Sequence, residues 1–435
     1  MRHSLYPTLI AIFICCATAW ADSPPLIRQP ESVPTGRTLT LDDCIKLALR
    51  NQSAIRQATA QVEIQKGQLM QAKSKLLPST SVTTSTELAG TGGGNGSSLD
   101  TSASQLIYDF GKTPAGVAQA THQESASQHA LVQSTSDTIL SVKTAYYSLL
   151  QDRHLVDVYA EQLKDQQGHL SQAQARKAVG TVPLADVLQA QAAVSSAQFD
   201  LVTARKTAEL ARVTLNTAMG INVQVPLTIA EITEPAPLSM DEDQLVKLAL
   251  LQRPEVRQNM ELVLANQALV TVARTTNLPS VDTSVARSET FGDYSGASGG
   301  TDWLWSVNLS WSPIDFGNTA GAIRSAKGGV ITAEEALYNA KQNVTQDVVQ
   351  ARLSVIDAEA QMNSANDEVA SAKENLSVAT GQYDAGVGIL LNVLDAQAAL
   401  LKADVDQFTA QYGLSTARAQ LTHAIGTIPG PADIR

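Results

Sequence analysis

The two halves of this sequence follow one pattern. LALRNQSAIRQ at 47–57 matches LALLQRPEVRQ at 248–258 with an offset of 201 residues. Farther along, AVGTVPLADVLQAQ at 178–191 matches DAGVGILLNVLDAQ at 384–397 with an offset of 206. The five extra residues fall between a Leu-Pro landmark and an Asp-Phe-Gly landmark, where an exposed loop tolerates insertion. The chain is therefore an internal tandem repeat that builds one supersecondary unit twice.

The first part of each copy predicts a helix followed by two strands. In the first copy, Thr40 is suited to cap a helix over 41–77. Pro78 ends that helix, because the residue before a proline avoids the α region. The hydrophobic period then changes from helical to alternating, which indicates strands. Strands are expected at about 80–89 and 99–107 in the first copy, and at about 280–290 and 302–312 in the second.

A long antiparallel helical hairpin is expected to follow the strands in each copy. From about Ala118 to Val179 the chain has no proline, and apolar or small residues recur largely at spacings of three and four. A continuous helix over that span would approach about 90 Å in length. Gly180 is expected to end it, and Pro183 to begin the return helix in its first turn. The hairpin tips are expected near 180–186 and 386–392.

The N-terminus is typical of a secretory signal peptide. Arg2 precedes an apolar run over 9–17, and Ala-Trp-Ala at 19–21 fits a cleavage site of small residues. A lipid anchor through Cys16 is the alternative. The expected division of the chain is a signal peptide at 1–21, an N-terminal extension at 22–40, a first repeat at 41–220, a linker at 221–240 that could hold a short strand, a second repeat at 241–426 and a tail at 427–435.

Tryptophans mark one face of the last predicted strand. Trp303, Trp305 and Trp311 alternate with smaller or polar residues. In a soluble sandwich they would be core, but no other strand-rich region offers an opposing sheet. On a membrane strand they would anchor at the interfaces, and we favour this interpretation. No run of about 18 apolar residues follows the N-terminal segment, so no transmembrane helix is expected.

Four membrane strands per chain constrain the assembly. A barrel needs about eight strands to close, and unpaired strand edges are not tolerated in lipid. Several chains must therefore share one barrel, with cyclic symmetry as the simplest arrangement. Two chains would supply about eight strands, and three would supply about twelve, enough to leave a lumen.

Composition and motif searches exclude other classes of function. The formal charge of −11 argues against a nucleic-acid partner, because phosphate binding needs a face rich in Lys and Arg. Apolar residues make up 44 % of the chain but aromatic residues only 4 %, which predicts helix contacts packed with small residues. Cys44 stands alone in the mature chain and the histidines show no metal-ligand spacing, so neither a metal nor a cofactor is expected. No catalytic constellation is present, and the chain is not expected to be an enzyme.

Together these landmarks resemble the TolC-like outer-membrane efflux channels of tripartite efflux or type I secretion systems. The resemblance rests on the signal peptide, the tandem repeats, the order helix, strand, strand, helix, and the paired hairpins VGTVPLADVL and GVGILLNVLDAQ. It covers nearly the whole mature chain. It implies a mainly α fold with a small membrane β part, in which hairpins form an α-barrel and a homotrimer shares a twelve-stranded β-barrel.

The resemblance also implies a function and partners. The chain would be a passive export duct in the outer membrane of a Gram-negative bacterium, with its helical part in the periplasm. A periplasmic adaptor protein would dock to it, and an inner-membrane pump of RND, ABC or MFS type would supply the energy. The alternative is a surface-anchored coiled-coil protein such as an adhesin stalk, with the strands as its anchor.

The Asp-Phe-Gly triplet occurs twice, which excludes its use as a single catalytic loop. Glycine relaxes a turn, aspartate can accept hydrogen bonds from nearby backbone N–H groups, and phenylalanine can lie at the membrane boundary. We therefore interpret both triplets as strand-to-helix corners. They comprise Asp109, Phe110 and Gly111 in the first copy and Asp315, Phe316 and Gly317 in the second.

The resemblance also assigns candidate gate residues. Asp186 and Tyr383 match an acid and a tyrosine that link neighbouring hairpins in the family, and Asp395 matches an acid at the constriction. Gly388 replaces an expected arginine and Asn392 a further acid, so the charged part of the gate is weakened. We expect the packing of two leucines to compensate, Leu390 and Leu391. From the residues alone, Asp186 would be a first-turn acid favoured by the helix dipole and Tyr383 a packing residue.

The hairpin tips are the expected docking site for the adaptor. The tip residues are Gly180, Thr181, Val182 and Pro183 in the first copy and Gly386, Val387 and Gly388 in the second.

Overall fold

The computed structural model describes residues 38–87, 96–232, 241–294 and 297–426. The predicted signal peptide, the alternative lipid anchor, the tail, and parts of the N-terminal extension, linker and strand loops lie outside the described residues.

Each copy forms the same series of elements, introduced by a two-residue strand. The first copy contains β1 (Thr38–Leu39), α1 (Leu41–Asn51), α2 (Ser53–Ser74), β2 (Ser79–Glu87), β3 (Gly96–Tyr108), α3 (Lys112–Ala178) and α4 (Leu184–Ala218). The second contains β4 (Thr228–Ile229), α5 (Glu242–Gln252), α6 (Pro254–Thr275), β5 (Ser280–Tyr294), β6 (Ala297–Ser310), α7 (Asn318–Asp384) and α8 (Leu390–Ile425). The chain is mainly helical, as the sequence predicted, and α3 and α7 each have 67 residues, about 100 Å of helix.

The single helix expected over 41–77 is wrong, because the chain breaks at Gln52. That residue has an extended backbone (φ −64°, ψ 128°), and its side-chain amide donates a hydrogen bond to the carbonyl of Ala218 over 3.2 Å. The end of α4 therefore lies against the break. Gly220, at φ 68°, packs so closely there that an added Cβ would lie 2.9 Å from the backbone carbonyl of Asn51.

The second copy has the same contact. α5 and α6 are separated at Arg253, and Pro254 begins α6. Gly426 ends α8 with φ 80°, and an added Cβ there would lie 3.1 Å from the backbone nitrogen of Arg253. In both copies a left-handed glycine thus lets the return helix end against the broken first helix.

The elements lie side by side in one layer. The strands form an antiparallel sheet in the order β2, β3, β5, β6. Next to the sheet, α3 packs against α2 and α6, and α6 packs against α7; in the hairpin region the contacts run α4, α3, α8, α7. The layer consequently has two lateral edges, one made by β2, α2 and α4 and the other by β6 and α7.

The two faces of the sheet differ in chemistry. One row of paired residues consists of Thr80, Ala103, Val285 and Trp305. A row on the other face consists of Ser79, Ser104, Ser284 and Ser306, with hydroxyl contacts of 2.7 and 2.8 Å between the outer pairs. The alternation predicted from sequence thus separates an apolar face from a hydroxyl-rich face.

The bounds of the strands differ from the expected ones. β5 continues to Tyr294 and β6 begins at Ala297, in a segment that we expected to join the strands as a loop, because the backbone ladder continues to that pair. Trp311 was expected within the last strand, but β6 ends at Ser310. Its indole N–H donates to the carbonyl of Asn277 over 3.1 Å, so it contacts the connection between α6 and β5.

The helices pack through small residues. Of the buried hydrophobic residues described, the largest group is alanine, as the composition predicted. The largest side chains are concentrated where β1 and β4 pair in parallel beside α3. There the fully buried Tyr146 donates its hydroxyl to the carbonyl of Ala230 over 2.7 Å. Among the described helices, none is long and apolar enough to cross a bilayer.

Replacing Gly220 by alanine should destabilise the fold. The positive φ and the 2.9 Å approach to Asn51 both oppose a side chain, and we expect the free energy of unfolding to fall by about 1–3 kcal/mol. Chemical denaturation of the detergent-solubilised protein would measure it. The matched control is Gly67→Ala in the exposed middle of α2, where nothing lies within 4 Å and up to about 1 kcal/mol should be gained. Equal effects of the two substitutions would contradict the packing role of Gly220.

Candidate functional site

Both Asp-Phe-Gly triplets lie where a strand leads into a long helix. Phe110 and Gly111 are consecutive left-handed residues, with φ of 56° and 87°, so the chain turns sharply. Gly111 is the N-cap of α3 but has no side chain to cap it. The Asp109 carboxylate accepts the N–H of Thr113 over 2.6 Å instead. The second copy repeats this geometry with Asp315, Phe316, Gly317 and Thr319.

The two corner phenylalanines remain exposed. Phe110 is 44 % exposed and Phe316 is 98 % exposed, so no described part of the chain covers the Phe316 ring. An almost fully exposed phenylalanine in a strained backbone conformation points to a contact outside the chain, either lipid or another subunit.

The three tryptophans are not a core. Trp303, Trp305 and Trp311 are 69 %, 76 % and 59 % exposed. The guanidinium of Arg287 lies 5.6 Å from the ring centre of Trp303, and the indole N–H of Trp305 donates to the hydroxyl of Thr283 over 2.9 Å. No described residue covers this face, which contradicts the soluble-sandwich alternative.

Each hairpin tip is a tight glycine turn. At the end of α3, Gly180 has φ 78°, its N–H donates to the carbonyl of Lys177, and the N–H of Thr181 donates to the carbonyl of Arg176. These two bonds pair the carbonyls of Arg176 and Lys177, which the end of the helix would otherwise leave free. The equivalent bonds join Gly386 to Tyr383, and Val387 and Gly388 to Gln382.

One expectation about the tip was wrong by a residue. Pro183 is the N-cap of α4, with ψ 163°, and the helix begins at Leu184. Of the other tip residues, Val182 is half-buried, whereas Val387 is 81 % exposed.

The candidate gate residues divide into two groups. Tyr383 and Leu390 are buried in a cluster that joins all four hairpin helices, with 6 % and 3 % exposed. Leu391, Asn392 and Asp395 lie on an exposed side of α8. Leu390 therefore cannot face a pore together with Leu391, because it fills the core of the hairpins. Asp186 is half-buried in the first turn of α4.

An ion pair that sequence reasoning missed joins the two hairpins at this end. Arg176, in the last turn of α3, contacts the carboxylate of Asp384, the last residue of α7, over 3.1 Å. The same guanidinium lies 4.4 Å above the ring centre of Tyr383, and the Gln172 amide donates to Asp384 over 3.3 Å. The hydroxyl of Tyr383 is buried and has no hydrogen-bond partner among the described residues. Gly388 and Asn392 take no part in this ion pair, and its basic group lies on the first hairpin.

A second missed contact is a buried polar group between α3 and α8. The amide of Gln166 donates to the carbonyl oxygen of Gln397 over 2.8 Å, and the amide of Gln397 lies 2.6 Å from the His169 ring nitrogen. The two glutamines are buried and His169 is half-buried, and this chain of polar contacts fixes the register of the two helices.

The described residues contain no group of three or more side chains arranged to hold a metal ion. Burial, with a smaller contribution from Asp43, raises the pKa of the Cys44 thiol to about 12. That thiol stays protonated and is neither a metal ligand nor a nucleophile at neutral pH.

Comparison with known families identifies the chain. The outer membrane efflux protein family model matches residues 44–221 and 245–427, which is one match for each copy of the repeat. The chain belongs to the outer membrane efflux protein family. The resemblance to TolC-like channels is therefore confirmed.

Individual proteins that resemble this chain are also outer-membrane channels or their relatives. The curated protein CyaE of Bordetella pertussis is 27 % identical over 390 residues, which cover 86 % of this chain and 79 % of that protein. The outer membrane channel CmeC of Campylobacter jejuni has the same fold, with a TM-score of 0.80 at 19 % identity over 92 % of this chain and 94 % of that one. The open state of the Neisseria gonorrhoeae outer membrane channel MtrE also has the same fold. Its TM-score is 0.74 at 21 % identity, over 92 % of this chain and 97 % of that one.

Membership in the outer membrane efflux protein family indicates where this site lies relative to the membrane. The chain is an outer-membrane export duct, with its strands in the membrane and its helical hairpins in the periplasm. The hairpin tips lie at the end of the molecule farthest from the strands, so Arg176, Tyr383 and Asp384 are grouped at the periplasmic end of the duct.

The contact between Arg176 and Asp384 should be measurable as a coupling energy. We expect a double-mutant cycle of Arg176→Met and Asp384→Asn in denaturation experiments to give about 0.5–1 kcal/mol, because the pair is only partly exposed, at 28 % and 55 %. The matched control is Lys164 and Glu161, a pair on α3 that is 73 % and 62 % exposed and should couple more weakly. A coupling energy at Arg176 no larger than in the control would exclude a link between the hairpins.

Proposed function

We propose that three copies of this chain form one continuous passive duct, and the two lateral edges carry the proposal. β2 and β6 are the outer strands of the sheet, each paired on one side only. Unpaired backbone groups cannot remain in lipid, so β6 of one copy would pair with β2 of the next. The order of strands makes that pairing antiparallel, and three copies give about twelve strands.

The edge helices support the same arrangement. On α7, the side opposite the buried alanines and valines exposes Ile331, Tyr338, Leu353 and Ile356. On α4, the side opposite the face that packs on α3 exposes Leu188, Phe199, Val202 and Leu210. A helix that is apolar on two opposite sides is an interior helix. The neighbouring copies would cover these stripes.

The sheet faces fit a membrane barrel of this kind. The face with Trp303 and Trp305 would contact lipid, and the row from Ser79 to Ser306 would line a polar lumen. Trp311 directly follows β6 and lies eight residues beyond Trp303, a separation of about 20 Å along a tilted strand, close to the height of an outer-membrane apolar band. The tryptophans and Phe316 would then mark the two interfaces.

The periplasmic end would hold the gate. Arg176, Tyr383 and Asp384 would keep the hairpins together in the closed state, and the unpartnered hydroxyl of Tyr383 would find its acceptor in a neighbouring copy. Asp395 would contribute to a ring of about three carboxylates, which binds cations as charged rings do in channels. Asp186, Leu391 and Asn392 would line the same narrowing.

A partner complex would supply the energy. The exposed tip residues around Gly180 and Val387 would dock a periplasmic adaptor protein, and an inner-membrane pump of RND, ABC or MFS type would drive the cargo. No nucleic acid or cofactor takes part in this proposal.

If three copies close at the lateral edges, charged substitutions on an edge helix should change the oligomeric state. Native mass spectrometry in detergent should find trimers for the parent and monomers for Phe199→Glu combined with Val202→Glu, because two charges would face the neighbouring α7. Val387→Glu is the matched control: it charges an equally exposed residue at the tip, 81 % exposed, and should leave the trimer intact. A monomeric parent, or a trimeric edge variant, would contradict the closure at this edge.

The gate predicts changes in single-channel conductance in planar bilayers. We expect a low, cation-dependent conductance in the parent and a raised open-to-closed ratio in Arg176→Met. Loss of about 1 kcal/mol changes such a ratio by about fivefold for one link, and on the order of a hundredfold when all three links of a trimer are removed. Asp395→Ala should reduce the cation dependence, and Tyr383→Phe should raise the open fraction.

Lys164→Met removes a cation on α3 outside the tip and is the control that should leave conductance unchanged. No conductance in any trimeric variant would refute the duct and favour the surface-anchored stalk. Equal conductance in all variants would keep the duct and exclude this gate.

A further inference from the structure

The seam between α3 and α8 contains a cavity that the duct does not explain. It has a volume of about 350 Å³, within the range of small-molecule sites, and also reaches Leu376 of α7. Its floor is apolar and is formed by Val158, Leu400, Leu401 and Phe408. At one end, the ring of His154 stacks on Phe408 with 4.9 Å between the ring centres.

The rim of this cavity is acidic. Asp157, Glu161 and Asp165 follow one another at intervals of four residues on α3, so their carboxylates are spaced by about 6 Å along one side. Asp404 of α8 lines the cavity from the other helix. No lysine or arginine is among the described residues that line it. Lys164 contacts Glu161 over 2.7 Å from outside the cavity.

Two of these carboxylates are incompletely hydrated. Burial raises the pKa of Asp404 against the opposing effect of Lys373. Burial, followed by repulsion from Glu161, raises the pKa of Asp165. A cation bound between them would relieve both effects, because an opposite charge favours the ionised form.

The cavity also contains a hydrogen-bond acceptor without a donor. The side-chain oxygen of Gln162, which lines it, is buried and has no partner among the described residues. Behind the cavity wall, the amide of Gln166, a residue only 5 % exposed, holds the Gln397 side chain in place. The complementary ligand must therefore bring both positive charge and N–H donors.

The acidic rim is not required by the repeated fold. At the offset of 206 residues, the equivalent positions on α7 and α4 carry two acids, Asp367 and Glu368. The residues equivalent to Asp157, Asp165, Asp404 and Phe408 are Asn363, Ser371, Gln198 and Val202. Three of the four acids at the cavity, Asp157, Asp165 and Asp404, are thus absent from the equivalent positions, so the repeated fold does not account for them.

We propose that this cavity binds a linear polyamine. Ammonium groups separated by about three or four methylene groups match the spacing of carboxylates one helical turn apart, and the methylenes would lie on the apolar floor. The ammonium groups would bind Asp157, Asp165 and Asp404 and donate to Gln162. Because α3 and α8 are the middle helices of the layer, neighbouring copies would leave the cavity open. Binding here is independent of the gate at the tips.

Isothermal titration calorimetry of the detergent-solubilised protein with spermidine would test the proposal. We expect saturable binding to the parent and at least tenfold weaker binding to the triple variant Asp157→Asn, Asp165→Asn and Asp404→Asn. The matched control removes three exposed acids of α7, as Asp357→Asn, Asp367→Asn and Glu374→Gln, and should bind spermidine like the parent. Putrescine, with fewer ammonium groups, should bind the parent more weakly.

Three results would overturn the proposal. Equal weakening in the α7 control would show diffuse attraction to a protein of net charge −11. Unchanged binding in the cavity variant would place the ligand elsewhere. A lysine-rich helical peptide that binds the parent more tightly than spermidine, and loses binding in the cavity variant, would assign the cavity to a partner helix. Circular dichroism and unchanged single-channel conductance would establish that the cavity variant is folded, and would keep this test separate from that of the duct.

Discussion

Backbone groups left unpaired at the two ends of a four-stranded sheet are the constraint on which this architecture depends. A sheet of this size in water could leave its edges hydrated, but the same sheet in lipid cannot. Closing it within one chain would need about twice as many strands. The chain instead repeats an open unit and leaves one edge at β2 and the other at β6. The apolar stripes on α4 and α7 extend the same two edges into the helical part, so membrane and periplasmic regions require closure at the same seams.

The two copies of the repeat share the residues that determine the backbone fold, and they differ in residues on the surface. The copies share the left-handed glycines, the Asp-Phe-Gly corners and the broken first helix, which all act on the backbone. They differ where side chains face outward. The positions equivalent to Trp303 and Trp305 are Ser97 and Leu99, and the contact of Arg176 with Asp384 joins positions that are not equivalent between the copies. Functional asymmetry thus arises on a nearly symmetric backbone.

Much of this arrangement could be predicted from the sequence, because local signals dominate in long helices and alternating strands. Glycine turns at Gly180 and Gly386 and the order of elements follow from such signals. The break at Gln52 could not be predicted in that way, because it depends on Gly220 packing against it from another helix. Only Pro254 in the second copy gave a local sign of it. The contact between Arg176 and Asp384 joins residues 208 positions apart, and the burial of Leu390 depends on a core formed by four helices. No local sequence pattern predicts either feature.

The energy of the proposed gate follows from its exposure. A partly exposed ion pair contributes about 0.2–1 kcal/mol, so three copies of the contact between Arg176 and Asp384 would stabilise the closed state by about 0.6–3 kcal/mol. That is a modest bias, and a partner needs only a comparable difference in affinity between the two states to reverse it. Gly388 and Asn392, which stand where the family has an arginine and an acid, also lower the stability of the closed state, since fewer charged links must be broken to open it. A duct with such a gate would stay closed when alone and would open when its adaptor binds the tips, because opening then costs little of the binding energy.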